Sequence, residues 1–285
     1  MDKKTVYTFD DAIDSHQHFW QYDAVKHDWI NDKMAVIRKD FLPQDLEPIL
    51  TANQIAGCIA VQADQTAAET DFLLGLAKSH TFIKGIVGWV DLRADDISDK
   101  LEHYFVHSPA IKGFRHVLQG ESPEFMLQKS FVNGISNLRP FNFTYDILIY
   151  PKHLPAAIAL VSKFPDQAFV IDHIAKPYIK DGLIDEWRKD IQTIATYKNV
   201  YCKVSGLVTE ADFKQWKEQD FTPYLDAVVE AFGIERLMYG SDWPVCLVGG
   251  SYGNILDIVK QYFADFSMNE QSMFFGKNAA RFYNL

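Results

Sequence analysis

Residues 13–20 of the chain read Ile-Asp-Ser-His-Gln-His-Phe-Trp, which places two histidines two positions apart on a predicted strand. Successive side chains of a strand point to opposite faces, so His16 and His18 share one face. Two neighbouring imidazoles can bind a divalent metal ion or polarise a substrate carbonyl. A His-x-His pair also occurs by chance, but a second polar run strengthens it. Residues 239–244, near the other end, place Asp242 directly after another predicted strand.

Short β-branched and aromatic runs alternate with longer amphipathic segments along the whole chain. The runs predict eight strands, at residues 12–18, 57–62, 83–90, 111–117, 144–150, 168–173, 200–205 and 236–241. Apolar residues at helical spacing predict helices over 44–55, 70–80, 154–164, 184–197 and 222–232. The first turns of three of these helices are marked by Pro43, Pro155 and Pro223, and Gly233 suits a helix C-terminus.

A strand, a crossover helix and a second strand predict parallel pairing, because only parallel neighbours need so long a connection. Eight such units favour a closed (β/α)8 TIM-like barrel over an open sheet, which would more often carry a glycine-rich turn after its first strand. No linker interrupts the pattern, so we predict a single domain over residues 1–285. The long stretch 20–43 is interpreted as a lid-forming loop over the active site.

Composition restricts the class of partner. The chain of 285 residues has 28 basic and 38 acidic residues, which give a net charge of −10. Such a surface repels nucleic acid and anionic membranes, so neither is expected as a partner. Residues 1–11 contain no apolar signal-peptide core, and the cysteines, which lack Cys-x-x-Cys spacing, are interpreted as buried reduced thiols of a cytoplasmic protein. No heptad or apolar stripe indicates an oligomeric state.

Ionisable side chains collect where the predicted strands end, and in (β/α)8 barrels this edge carries the chemistry. They lie on strands 1, 4, 6 and 7 and after strand 8: His16, His18, Arg115, His116, Asp172, His173, Lys203 and Asp242. Strand 8 lies beside strand 1 in a closed barrel, so its carboxylate is expected next to the histidine pair. Three imidazoles and one carboxylate suit a single zinc ion with room for water. The predicted metal ligands are His16, His18, His173 and Asp242.

Other residues near this edge each allow two interpretations. Arg115 and Lys203 are cations that either contact the substrate or form buried ion pairs inside the barrel. Trp29 and Trp243 either wall a small-molecule pocket or plug the barrel mouth. Asp172 precedes an inward-facing histidine on its predicted strand, so it is expected to face the other way and to cap a helix or pair with a surface cation.

These motifs together resemble the amidohydrolase superfamily, and within it the amidohydrolase-2 group of sugar-lactone hydrolases. The resemblance rests on residues 13–20 and on GIVGWVDL (85–92), KGFRH (112–116), DHIAKP (172–177), KVSGL (203–207), GSDWP (240–244) and NAARFY (278–283). It covers nearly the whole chain. The combination is specific to the group and less specific to one substrate.

The resemblance implies that the four predicted metal ligands are also the catalytic residues: His16, His18, His173 and Asp242. Many members of the superfamily carry a metal-bridging Lys or Glu on strand 4 and a histidine on strand 5. Residues 145–150 hold no histidine. We therefore expect at most one divalent metal ion, zinc. Activity without a metal is the alternative, since some relatives in the group hydrolyse lactones without one.

The resemblance further implies a hydrolase that opens a sugar lactone, such as L-fuconolactone or L-rhamnonolactone. In this hypothesis Asp242 accepts a proton from the attacking water, and the histidines hold the water and the carbonyl oxygen, directly or through zinc. Arg115 and Lys203 bind the oxyanion or sugar hydroxyls, and Trp29 and Trp243 wall the pocket. Two alternatives stay open: a non-oxidative decarboxylase of a small carboxylic acid, and a non-catalytic sugar-binding barrel.

Overall fold

The computed structural model describes residues 11–285. The sequence prediction about the polar start of the chain, residues 1–11, therefore lies outside the described residues except for its last position. Among residues 11–285, no helix is long and apolar enough to cross a membrane.

Eight strands form one parallel sheet in residues 11–285, and each strand pairs with the next one along the chain. The strands are β1 (Ile13–Gln17), β2 (Gly57–Val61), β3 (Ile83–Gly88), β4 (Ile111–Val117), β5 (Thr144–Leu148), β6 (Phe169–Ile171), β7 (Val200–Val204) and β8 (Leu237–Tyr239). Most strand residues are buried on both faces, because helices cover the outside and side chains fill the inside.

The sheet closes between its first and last strands. Gln17 forms a parallel bridge with Trp243. The amide of Asp242 donates to the carbonyl of His16 at 2.8 Å, and the amide of His18 donates to the carbonyl of Trp243 at 2.7 Å. The fold is therefore a (β/α)8 TIM-like barrel, as predicted, and its closure brings Asp242 beside the two early histidines.

Ten helices surround the barrel in the described part of the chain. They are α1 (Pro43–Ala52), α2 (Ala67–Ser79), α3 (Ile97–His107), α4 (Lys129–Ser136), α5 (Leu154–Val161), α6 (Asp185–Ile194), α7 (Glu218–Phe232), α8 (Tyr252–Tyr262), α9 (Met268–Ser272) and α10 (Asn278–Phe282). The five predicted helices correspond to α1, α2, α5, α6 and α7. The crossover helix α3 lies outside them because its buried face is narrow, with only Ile97 and Leu101 buried.

Helix α7 begins earlier than its predicted start at residue 222. It starts at Glu218, where the Asp220 carboxylate accepts a hydrogen bond from the amide of Lys217 at 2.8 Å. Pro223 therefore lies inside the helix and not in its first turn, so that part of the prediction is wrong. Pro43 and Pro155 do lie at first-turn positions, and Gly233 ends α7 with a φ of 67°.

The loop 20–43 and the C-terminal segment enclose opposite ends of the barrel. The loop contains one 3-10 helix, Asp32–Ile37, and pairs with itself through Trp20 and Phe41. At the other end, the Asn278 side-chain amide donates to two carbonyls around β8 at 2.7 and 2.8 Å. This anchor holds Tyr283 fully buried beneath the strands. The three cysteines are free and buried, as predicted.

Candidate active site

Four potential ligand atoms converge at the barrel mouth, at the carboxyl ends of β1, β6 and β8. The Nε2 atoms of His16 and His18 are 3.2 Å apart, and His18 Nε2 lies 3.4 Å from Asp242 Oδ1. That carboxylate oxygen is also 4.0 Å from His16 Nε2 and 3.9 Å from His173 Nε2. All four side chains are almost fully buried. The structure thus brings together the four residues that the sequence predicts as ligands.

Hydrogen bonds on the far side of two rings orient the imidazoles. His18 Nδ1 lies 2.8 Å from the carbonyl of Val61. A carbonyl can only accept, so Nδ1 carries the proton and His18 Nε2 presents a lone pair to the mouth. His173 Nδ1 is hydrogen-bonded to the Ser205 hydroxyl at 2.9 Å, which orients the ring with Nε2 towards the mouth.

The residues present fit a divalent cation. Ligands about 2.0–2.1 Å from a tetrahedral zinc ion are separated by about 3.4 Å. The ligand atoms of His16, His18 and Asp242 are separated by 3.2 to 4.0 Å, which brackets this value, and His173 Nε2 lies 3.9 Å from Asp242 Oδ1. Burial lowers the pKa values of His16 and His173 well below the usual range, so both rings are neutral and able to act as ligands. A second close set, which uses Asp172 with His16 and His173, suits a cation less because Asp172 is already paired with cations.

The expected position of Asp172 is wrong. Its side chain is fully buried and faces the site, where Oδ1 lies 3.3 Å from His16 Nδ1 and 3.0 Å from Lys203 Nζ. Oδ2 accepts from Arg115 Nη1 at 3.1 Å. Burial by itself would raise the pKa of Asp172, but Lys203, His16 and Arg115 outweigh it and hold the pKa well below its usual range. Asp172 is therefore an ionised partner behind His16, not a helix cap.

The backbone explains why two adjacent residues face the same site. Strand β6 ends at Ile171, two residues before its predicted end, so strand alternation does not apply to Asp172 and His173. His173 to Lys176 all have positive φ values, between 48° and 59°, which form a left-handed turn. Side chains alternate between two faces only where the backbone has the dihedral angles of a strand. A prediction based on that alternation therefore cannot place the side chains of this turn.

Gly206, which follows β7, makes room for this turn. Its φ is 60°, and a Cβ atom there would lie 2.7 Å from His173 Nδ1. We expect Gly206→Ala to destabilise the protein by about 1–2 kcal/mol through left-handed strain and also to displace the His173 ring.

The matched control is Gly182→Ala. Gly182 has a similar φ of 66° but nothing within 4 Å of an added Cβ, so it should show the strain alone. Urea unfolding and lactone-opening rates of both variants measure the two effects. Equal activities in the two alanine variants would contradict a role for Gly206 in placing His173.

A buried ionic cluster lies beneath His16. Lys203 is fully buried; its Nζ donates to Asp146 Oδ2 and lies 3.2 Å from His16 Nδ1. Tyr283 donates to the same Asp146 oxygen at 2.8 Å. Burial raises the pKa of Asp146 to about 6, and Lys203 acts against that rise. Of the two interpretations of Lys203, the buried ion pair is the arrangement found.

Arg115 lies between this cluster and the mouth. Its Nη1 is 3.3 Å from His16 Nε2, and its Nη2 donates to the carbonyl of Gln62. The two tryptophans differ in their surroundings. Trp243 is fully buried against Phe19 and Phe41, whereas Trp29 on the long loop is 40% exposed.

Sequence reasoning missed Asp14 and Asp146. Asp14 Oδ1 accepts from the amides of His16 and Ser241 at 3.1 and 2.9 Å, and so ties β1 to the turn that carries Asp242. Asp146 was detectable as the single charged residue of a predicted strand that is otherwise uncharged. Such a group needs a cation, and Lys203 is the corresponding lone cation on β7.

Comparisons with known proteins show the family to which the chain belongs. A family model described as Amidohydrolase (Amidohydro_2) matches residues 13–285. The L-fucono-1,5-lactonase of Burkholderia multivorans is 37% identical, over 96% of each chain. The L-fucono-1,5-lactonase of Burkholderia ambifaria is 34% identical, over 96% of this chain and 95% of its own.

A solved structure of similar sequence has the same fold. A crystal structure of an amidohydrolase from Burkholderia multivorans with bound zinc superposes with a TM-score of 0.93 at 37% identity, over 96% of this chain and 99% of that chain. The resemblance that the sequence motifs indicate is therefore confirmed. The chain belongs to the amidohydrolase family.

Proposed function

We propose that this protein hydrolyses a sugar lactone, opening the ring by attack of water on the lactone carbonyl. The observation that carries the proposal is the convergence of Asp242 with three histidines at the mouth of the barrel. Similarity along 96% of the chain to an L-fucono-1,5-lactonase supports a sugar lactone as the substrate class, with L-fuconolactone the first to be tested.

Asp242 acts as the general base in this proposal. Its Oδ1 faces the Nε2 atoms of His18 and His173 at 3.4 and 3.9 Å, and a water molecule among them would lie within reach of the carboxylate. A φ of 58° and the hydrogen bond that the backbone amide of Asp242 donates to the His16 carbonyl hold the carboxylate in place. Asp242 removes one proton from the water as its oxygen attacks the carbonyl carbon.

Arg115 stabilises the oxyanion that forms. Arg115 presents Nη1 at the mouth, 3.3 Å from His16 Nε2, and its other contacts with Asp172 and Gln62 fix the guanidinium. Collapse of the tetrahedral intermediate breaks the ring C–O bond. The proton held by Asp242 then returns to the leaving oxygen, and the product is a hydroxy acid.

Zinc is the metal we propose for the site, held by His16, His18, His173 and Asp242. When bound, it would supply Lewis acidity at the position of the water and the carbonyl oxygen. Lys203 does not contact the substrate in this proposal; it acts through His16. Trp29, being partly exposed, remains the wall residue that a substrate can contact, and Trp20 packs against its ring. Trp243 is an interior residue.

The test of the function is an assay of 1,4- and 1,5-aldonolactones of different stereochemistry, followed by proton release, with NMR of the product. We expect ring opening of at least one hydroxylated lactone far above its spontaneous rate, and a hydroxy acid as product. Methyl esters of the corresponding acyclic acids serve as matched controls. Release of carbon dioxide from a substituted benzoate, or lactone binding without turnover, would contradict the proposal and favour one of the alternatives.

Metal binding is tested separately from activity. We expect the chelated and dialysed protein to take up one equivalent of zinc and to gain about 2.7 kcal/mol of stability at a free zinc concentration 100 times the Kd. His18→Asn should abolish that gain, whereas His103→Asn, on the exposed face of α3, should retain it. Elemental analysis and thermal unfolding provide the readouts. Equal zinc uptake by both variants would remove His18 from the ligand set.

A further inference from the structure

The left-handed turn after β6 has a second consequence, at Lys176. Four consecutive residues, His173 to Lys176, adopt positive φ, and one of them is the β-branched Ile174. Each such residue costs roughly 1–2 kcal/mol. Contacts on the far side hold the turn: the Trp187 indole donates to the carbonyl of Ile174 at 2.8 Å. A strained backbone conformation at an active site indicates a function for the side chains that it positions.

The turn directs Lys176 to the same side as His173. The amide of Lys176 donates to the carbonyl of His173 at 2.7 Å, as in a three-residue helical turn. Residues three apart in such a turn point the same way. Burial alone would lower the pKa of Lys176, but the nearby carboxylates of Glu210 and Asp242 raise it above its usual value. Lys176 is therefore a charged ammonium on the same side of the turn as His173.

Glu210, from the loop after β7, binds this ammonium. Lys176 Nζ donates to Glu210 Oε1 at 2.6 Å, and the Thr209 hydroxyl donates to the same oxygen at 3.2 Å. The two charged side chains are 13% and 16% exposed, so each keeps a small surface accessible to solvent. The neighbouring pair on the same two loops, Lys180 and Asp212, is 63% and 43% exposed at 3.5 Å.

We propose that Lys176 and Glu210 form the subsite that recognises hydroxyl groups of the sugar ring and thereby determine substrate specificity. This inference rests on the proposed lactone hydrolysis and deepens it. An ammonium donor and a carboxylate acceptor 2.6 Å apart match two neighbouring hydroxyls, one of which accepts while the other donates. Their slight exposure is enough for contact, while their burial strengthens each hydrogen bond.

The expected effect is specific for hydroxyl groups. Lys176→Met removes the donor and Glu210→Gln removes the charged acceptor while keeping the shape of the side chain. Each should lower kcat/KM for the best aldonolactone roughly 10- to 100-fold, the loss expected for one hydrogen bond to a charged group. On the monodeoxy lactone that lacks the recognised hydroxyl, the same variants should lose less than about threefold relative to the parent, because the contact is already gone.

The design is a set of double-mutant cycles between each variant and each monodeoxy analogue, with Lys180→Met as the matched control on the same loops. Zinc content and thermal unfolding are measured for every variant, to exclude a displaced His173. A loss of equal size on every analogue would overturn the proposal, since it would show that the pair acts on the fold or on the reacting centre. Failure of the parent protein to open any lactone would instead contradict the proposed function.

Discussion

Replacement of Asp242 by Asn is expected to lower kcat for lactone opening roughly 10³-fold, the range that one general base contributes. An amide has nearly the same shape as a carboxylate but cannot take a proton from water. The variant should fold normally, because the backbone amide of residue 242 still donates a hydrogen bond to the His16 carbonyl. This bond keeps β1 joined to the turn that follows β8.

Proton release from the lactone measures the rate, and elemental analysis reports zinc in the same samples, since an asparagine is also a weaker ligand. The matched control is Asp257→Asn, on the exposed face of α8. If the Asp242 variant, loaded with the same zinc content as the parent, opened the lactone at the parent rate, Asp242 would have no part in the proton transfer.

Replacement of Lys203 by Met is expected to cost about 3–5 kcal/mol of stability, the largest effect on folding that we predict. Lys203 is fully buried, contacts both Asp146 and Asp172, and supports His16 from below. Its loss leaves two buried carboxylates with less compensation. Arg115 still pairs with Asp172, so the greater part of the cost should fall on Asp146.

Urea unfolding of Lys203→Met and of the double variant Lys203→Met/Asp146→Asn tests this distribution. The double variant should recover part of the loss, because a neutral amide replaces the unpaired carboxylate and can still accept from Tyr283. The control is Lys100→Met, whose pair with Asp96 is exposed and should contribute less than about 0.5 kcal/mol. A single variant as stable as the parent would show that the buried pairs add nothing.

The architecture and most of the site could be predicted because they rest on local patterns. Hydrophobic runs and amphipathic segments repeat with the periods of strands and helices, and eight repeats determine a ring. In a closed barrel of eight strands, strand 8 lies beside strand 1. The number and order of the strands therefore predict that Asp242 lies close to His16 and His18. Asp172 follows β6, where the strand pattern has ended, and its position was predicted incorrectly.

The positions of Asp172 and Lys176 could not be predicted from the local sequence pattern. A strand prediction assigns faces by alternation, but β6 is three residues long and continues into a left-handed turn. Tertiary contacts from β7 and its loop stabilise that turn, through Gly206 and Ser205 against His173 and through Glu210 against Lys176. No propensity of residues 172–176 encodes contacts with a segment about 30 positions away.

The sequence by itself determined the barrel, the edge that carries the chemistry and the three histidines and one carboxylate found there, because these depend on periodicity and on the order of strands. The tertiary structure alone decided which charges pair beneath that site. Lys203 forms ion pairs with Asp146 and Asp172 because the packing of neighbouring strands brings them together. Burial makes every unpaired charge costly at this position. Such pairing depends on distances across the barrel, and those exist only once the ring has closed.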